Sequence, residues 1–259
     1  MKEKILNYLK SKLFSKELQQ LENLKEENRK LKKELKKQKI MNSFKDEVIS
    51  AISHEFKNPI SIINGYIETI LESNLPPQTQ QKFLNKIQKN TTRLSELIDR
   101  LYLITKLENK KLKPSFSTFK LDLLIKDLIQ SFDEERISLN LTPTTITADK
   151  KLIEIVLSNL ISNALKYSKK EITINLNEKY LEVIDKGLGI DKQNLEMIKQ
   201  KFFRIAKNDW DNSLGLGLAI VEHILKLHHT HLEIESEKGK GSKFYFDITS
   251  LKDKEHPQQ

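Results

Sequence analysis

The spacing of apolar positions changes along the chain, and each change marks an element. Between residues 16 and 43, Leu18, Leu21, Leu24, Asn28, Leu31, Leu35 and Gln38 recur three or four apart, with Lys and Glu between them. That seam predicts a dimeric coiled coil, with the polar Asn28 as a register device; because the stripe is thin, the alternative is a single solvated helix. From Phe44 a different stripe takes over, through Ile49, Ile52, Phe56, Ile60, Ile63, Ile67 and Ile70. Pro76-Pro77 is expected to end that helix. A second helix is expected from about Thr79 to Glu108, with Phe83, Ile87, Leu94, Leu97, Leu101 and Ile104 on one face. Two long amphipathic helices around a short loop form a hairpin. A lone hairpin would leave much of each stripe wet, so two hairpins joined as a four-helix bundle are expected, and with them a homodimer.

Beyond a polar stretch at 109–118 the period alternates between helix and strand. Leu121–Phe132 reads as helix, Ile137–Leu141 and Thr144–Ala148 as short strands, and Lys150–Tyr167 as a strong helix. Ile172–Asn177 and Tyr180–Asp185 alternate as strands across a tight turn. A polar stretch at 186–213 precedes a helix at 216–228, and His231–Ser236 and Lys243–Ile248 close the chain as a hairpin. The expected fold class is α followed by α+β, the second part a mixed sheet with helices on one face. The boundaries expected are a coiled-coil signalling helix at 1–43, a helical hairpin at 44–110, a linker at 111–118, an α+β domain at 119–250 and a polar tail at 251–259.

Composition narrows the function. The chain has 259 residues and no cysteine, which excludes disulfides, thiolate zinc sites and a cysteine nucleophile. No apolar run approaches the roughly 20 residues that cross a bilayer, and the charged N-terminus is unlike a signal peptide. A cytoplasmic protein is expected, or the cytosolic portion of a sensor whose membrane segment precedes Met1. The net charge of +9 sits mainly in residues 1–40, which carry 13 Lys/Arg against 6 Asp/Glu. A basic surplus on one leader rather than a folded face argues against a nucleic-acid partner. Of the seven glycines, six fall in the pairs Gly187/Gly189, Gly215/Gly217 and Gly239/Gly241. Glycine used so sparingly belongs where backbone bends or approaches something closely.

Two groups of residues carry chemistry. On the first hairpin helix His54 points about 200° away from the stripe through Ile52 and Phe56, and so outward. Glu55 beside it can orient an imidazole or accept its proton. Pro59 removes a helical hydrogen bond to Glu55, and Asn58 offers an amide one turn below His54. In the second region Asn159 and Asn163 share a helix face with Lys166 nearby and Tyr167 at the end. Asp185 ends a strand just before Gly187-Leu188-Gly189, where a carboxylate could accept from an exocyclic amine while glycines admit a flat base. Gly215-Leu216-Gly217 opens the next helix, whose free N–H groups suit phosphate. Together these read as nucleotide binding without a P-loop. His223, His228, His229 and His231 lack ligand spacing and read as helix-end and strand-start residues.

These motifs resemble those of sensor histidine kinases in two-component systems. Ser53-His54-Glu55-Phe56-Lys57-Asn58-Pro59 looks like the phospho-acceptor box, Asn159–Tyr167 the N box, and Asp185-Lys186-Gly187-Leu188-Gly189 the first glycine box. Lys201-Phe202-Phe203-Arg204 is similar to the F box, Leu214–Ile220 to the second glycine box, and Gly239–Phe244, including Ser242, to the final glycine turn. The resemblance spans about 44–249 and implies a HisKA-type hairpin followed by an α/β-sandwich ATP-binding domain of the GHKL type. It further implies that His54 accepts the γ-phosphoryl group of ATP, with Glu55 as acid/base partner and Asn58 positioning water in the reverse phosphatase reaction. Asn163 would ligate Mg²⁺ with help from Asn159; Lys166 and Arg204 would contact phosphate, Tyr167 would flank the base, and Asp185 would accept from adenine N6. Residues 190–214, with Trp210, would form a lid over ATP. The implied partner is a separate response regulator that takes the phosphoryl group on an aspartate. The chain departs from the family pattern at Ser213, where a glycine is usual, and this bears on nucleotide affinity. The alternatives are a protein acting chiefly as a phosphatase of that regulator, and a scaffold that binds ATP without transfer.

Overall fold

The computed structural model describes residues 2–132, 135–205 and 214–252. The chain divides into two compact units, Met1–His54 and Glu55–Gln259. Helix α1 (Lys2–Glu72) contains Pro59, and its helical assignment continues past that residue. In the first unit, Leu21, Leu24, Leu31 and Leu35 of the expected seam are each at least half exposed. Asn28 and Gln38 are exposed too, and the side chain of Leu18 lies outside the described residues.

In the second unit α1 turns back into α2 (Pro77–Glu108). The two prolines act differently from the expectation: α1 stops at Glu72, and Pro77 instead opens α2. The first helical position needs no N–H partner, and the fixed φ of proline is already helical there. Tyr66 on α1 and Phe83 on α2 pack ring to ring, with centroids 4.8 Å apart. Burial on α2 concentrates towards its end, at Leu97, Ile104 and Leu107.

The remaining elements are β1 (Ser117–Lys120), α3 (Leu121–Gln130), β2 (Ile137–Leu141), β3 (Thr145–Ala148), α4 (Lys150–Tyr167), β4 (Ile172–Leu176) and β5 (Tyr180–Asp185). Two short 3₁₀ turns follow, then α5 (Gly217–Leu227), β6 (Glu233–Glu237), β7 (Gly241–Asp247) and the short α6 (Thr249–Lys252). The main sheet is five-stranded and mixed, in the order β2-β4-β5-β7-β6, with only the β2–β4 pair parallel. Strict alternation explains its two faces. Ile172, Ile174 and Leu176 point inward with Leu181, Val183, Phe244 and Phe246, while outward positions carry polar ladders. There Asn140 donates to Asn175 at 3.0 Å, and Asn175 donates to Glu182 at 3.1 Å.

Within the segment expected to be a linker the chain is fastened down. Ser117–Lys120 pairs antiparallel with β3 in a separate two-stranded sheet. Just before it, the Ser115 N–H donates to the Asp149 carboxylate at 2.7 Å. The composition of Ser-Thr-Phe-Lys hid this strand, because its exposed positions outnumber its packed ones. Asp149 also caps α4 by accepting from the Leu152 N–H at 3.1 Å. The fully buried His228 joins the same corner: its Nε2 accepts from the Asp149 N–H at 3.1 Å while Nδ1 bonds the Ile224 carbonyl at 2.8 Å. That pairing assigns the neutral imidazole with its proton on Nδ1, so His228 acts as a helix-end residue.

Candidate functional site

Helix α4 is anchored by a buried face of Leu152, Ile153, Val156, Leu157, Leu160, Ile161 and Ala164. Asn159 and Asn163 therefore fall on its flank, half-buried and one turn apart. Asn159 Nδ2 donates to the Ile155 carbonyl at 2.8 Å, which fixes the amide and turns its Oδ1 towards Gly217. A Cβ at Gly217 would come within 2.9 Å of Asn159 Oδ1 and 3.9 Å of Asn163 Nδ2. Glycine thus keeps open a cradle between the α4 amides and the first turn of α5. No side chain caps α5 among the described residues, so its first N–H groups remain suited to an anion. Two side-chain amides with oxygen acceptors beside such an anion fit a hard divalent cation shared with phosphate. Leu216 is buried in the core at 2 % exposure, so what it offers to this cradle is backbone.

Asp185 closes the other end. It ends β5 opposite Ser242 on β7, and both are buried. Its Oδ1 accepts from the Gly187 N–H at 2.7 Å. Burial raises its pKa, while hydrogen bonds from Gly187 and Ser242 pull the other way. A Cβ at Gly187 would lie 2.3 Å from the Tyr167 carbonyl oxygen, so only glycine lets this turn sit against the end of α4. Gly189 lies against the β6–β7 turn at the Glu237 carbonyl, and the Ser236 hydroxyl braces the turn by accepting from the Ile190 N–H at 2.8 Å. Tyr167 is 45 % exposed at the mouth.

The third side is cationic. Phe202, at φ 62°, donates its N–H to the Gly215 carbonyl at 3.0 Å and so ties the segment holding Arg204 to the glycine turn. Lys201 pairs with Glu108 at the end of α2. The pKa of Lys166 is lowered to about 8, first by desolvation and then by Arg204, with Arg100 and Arg93 adding and Glu55 opposing. Charges on α2 and at Glu55 therefore face the same space as Lys166 and Arg204. The expected lid falls partly on residues 206–213, so Trp210 and Ser213 lie outside the described residues.

On α1, His54 and Asn58 are exposed. Glu55 is 7 % exposed, and its Oε2 lies 3.4 Å from Arg93 Nη2 on α2. The structure thus gathers Asn159, Asn163, Lys166, Tyr167, Asp185, Gly187, Gly189, Arg204, Gly215, Gly217 and Ser242 around one end of the sheet domain. Sequence reading passed over Arg93 and Arg100. Their seven-residue spacing on one face of α2 was a usable signal, but basic residues are common on exposed helices.

Comparisons with known proteins agree with this layout. Residues 44–110 match the His Kinase A (phospho-acceptor) domain, and residues 148–252 match the family of histidine kinase-, DNA gyrase B- and HSP90-like ATPases. The phosphate regulon sensor protein PhoR of Haemophilus influenzae is 30% identical over 223 residues, 81% of this chain and 52% of that protein. The chain spans about half the length of the curated relatives it matches. Among solved structures, Acinetobacter baumannii histidine kinase AdeS is similar in fold, with a TM-score of 0.59 and 24% identity over 75% of this chain and 96% of that one. Histidine kinase ThkA, crystallised in complex with response regulator protein TrrA, gives a TM-score of 0.54 and 26% identity over 78% of this chain and 60% of that chain. No helix among the described residues is long and apolar enough to cross a membrane. A helical phospho-acceptor region followed by a mixed-sheet ATPase domain, with both family models matched in that order, makes this chain a member of the sensor histidine kinase family.

Proposed function

We propose that the chain phosphorylates itself on His54 from ATP and hands the phosphoryl group to an aspartate of a separate response regulator. The observation that carries this reading is the open cradle where Gly217 meets Asn159 and Asn163, in a chain that also presents an exposed His54 followed by a carboxylate. An imidazole nitrogen of His54 would attack the γ-phosphorus as the bond to the β,γ-bridging oxygen breaks, with ADP leaving and the imidazole proton passing to Glu55. A neutral imidazole needs little activation at cytosolic pH. Phosphoryl transfer depends mostly on positioning and charge neutralisation. Lys166, Arg204 and the α5 N-terminus supply positive charge, Asp185 would accept from adenine N6, and Asn163, helped by Asn159, would hold Mg²⁺. The metal, when bound, would offset phosphate charge. In the second step the N–P bond breaks and an acyl phosphate forms on the regulator.

The exposed apolar positions of the hairpin support a homodimer, and the domain boundaries given above belong to this reading. Asn58, exposed one turn from His54, supports a reverse phosphatase activity through a positioned water. The test is a chase: the chain is labelled with γ-labelled ATP and Mg²⁺, then mixed with an isolated receiver domain. Label should move from the chain to the receiver. Label that forms and stays on the chain would sink the transfer step, and ATP binding without label would favour the scaffold.

A further inference from the structure

Glu55 poses a physical problem that its neighbours solve. A carboxylate only 7 % exposed is costly unless a cation or donor attends it. Among the described residues Arg93 is in ion-pair range, thirty-eight residues along the chain on α2, with Nη2 to Oε2 at 3.4 Å. Lys166 of α4 reaches Glu55 only through space, within a group of like charges that also includes Arg100 and Arg204. Arg93 is itself partly exposed, at 37 %, so solvent moderates the pair, and its long contact is a hold rather than a lock. Arginine stays charged at every working pH and restrains a carboxylate through a planar fork, which a lysine does less well.

We infer that Arg93 is a positioning residue for the transfer reaction: its guanidinium holds the Glu55 carboxylate in place to take the proton from His54. This rests on the reading of His54 as phospho-acceptor. Arg93 acts through Glu55, so its loss falls mainly on the chemical step, with a smaller effect on ATP binding through its charge near Lys166. General-base contributions run to about 10²–10⁴-fold, and losing orientation forfeits part of that.

The experiment measures kcat and KM for ATP in self-phosphorylation of the full chain, for Arg93→Gln, Arg93→Lys, Glu55→Gln and the Arg93→Gln/Glu55→Gln double variant. Arg93→Gln should lower kcat about tenfold and move KM less than about twofold, and Arg93→Lys should recover part of the loss. The double variant should be no worse than Glu55→Gln alone, since one residue acts through the other. Losses that multiply in the double variant, or a loss confined to KM, would overturn the inference. The Glu55 carboxyl ¹³C resonance of the full chain gives a reading that needs no turnover: it should shift in Arg93→Gln with or without ATP, and an unmoved resonance overturns the hold. Wild-type chain that takes no label would count against the proposed function, while the resonance still reports on Arg93.

Discussion

The hairpin and the sheet domain use the same kinds of side chain and bury them very differently. Ile153, Leu157, Ile161, Ile174 and Phe246 of the sheet domain are wholly buried. On the hairpin, Ile60, Ile67, Leu84 and Ile98 remain 42%, 41%, 46% and 51% exposed. The sheet domain has two layers, and each apolar face meets another from the same chain. A two-helix hairpin has no second layer, so its stripe must be covered by something else. The difference teaches which region closes its own core and which leaves apolar surface that the proposed homodimer would cover.

The largest effect tests the sheet domain. Ile161→Ala empties space in a closed core and should cost about 2–5 kcal/mol in denaturant unfolding, whereas Ile60→Ala should cost less than about 1 kcal/mol in the separated monomer. Equal costs would dissolve the contrast. A smaller effect tests what covers the hairpin: Ile60→Asp should weaken dimerisation at least about tenfold by sedimentation, about 1.4 kcal/mol. An unchanged association constant would remove this stripe from the interface. The smallest concerns charge. Lys166 carries a pKa of about 8, so its ammonium persists below that pH and is lost above it. Calorimetric affinity for ATP should therefore fall by up to about tenfold from pH 7 to pH 9, and Lys166→Met should flatten that profile. A slope that survives the substitution would assign the titration elsewhere.

The same contrast governs what could be read in advance. Elements with a clean period were legible: the helix Lys150–Tyr167 and the strands Ile137–Leu141 and Tyr180–Asp185 stand where alternation placed them. Their inward faces are set by local rules of period. Pro76-Pro77 was misjudged because proline disfavours a helix interior yet suits a helix start, and composition alone does not say which applies. Strand β1 was invisible, since its pairing with β3 bridges residues far apart in sequence. The residues proposed to face the nucleotide stood out as motifs, because glycines and paired amides mark close approach. Arg93 was not, because its role depends on where α2 sets it against Glu55. Tertiary partners decide that, and a single helix carries no trace of them.

The central claim is that His54 receives the phosphoryl group, and labelling tests it most directly. The chain and its His54→Gln variant would be incubated with γ-labelled ATP and Mg²⁺, then treated with acid or alkali. Label that requires His54, is lost in acid and survives alkali is the predicted result. Label that persists in His54→Gln, or that survives acid, would contradict it.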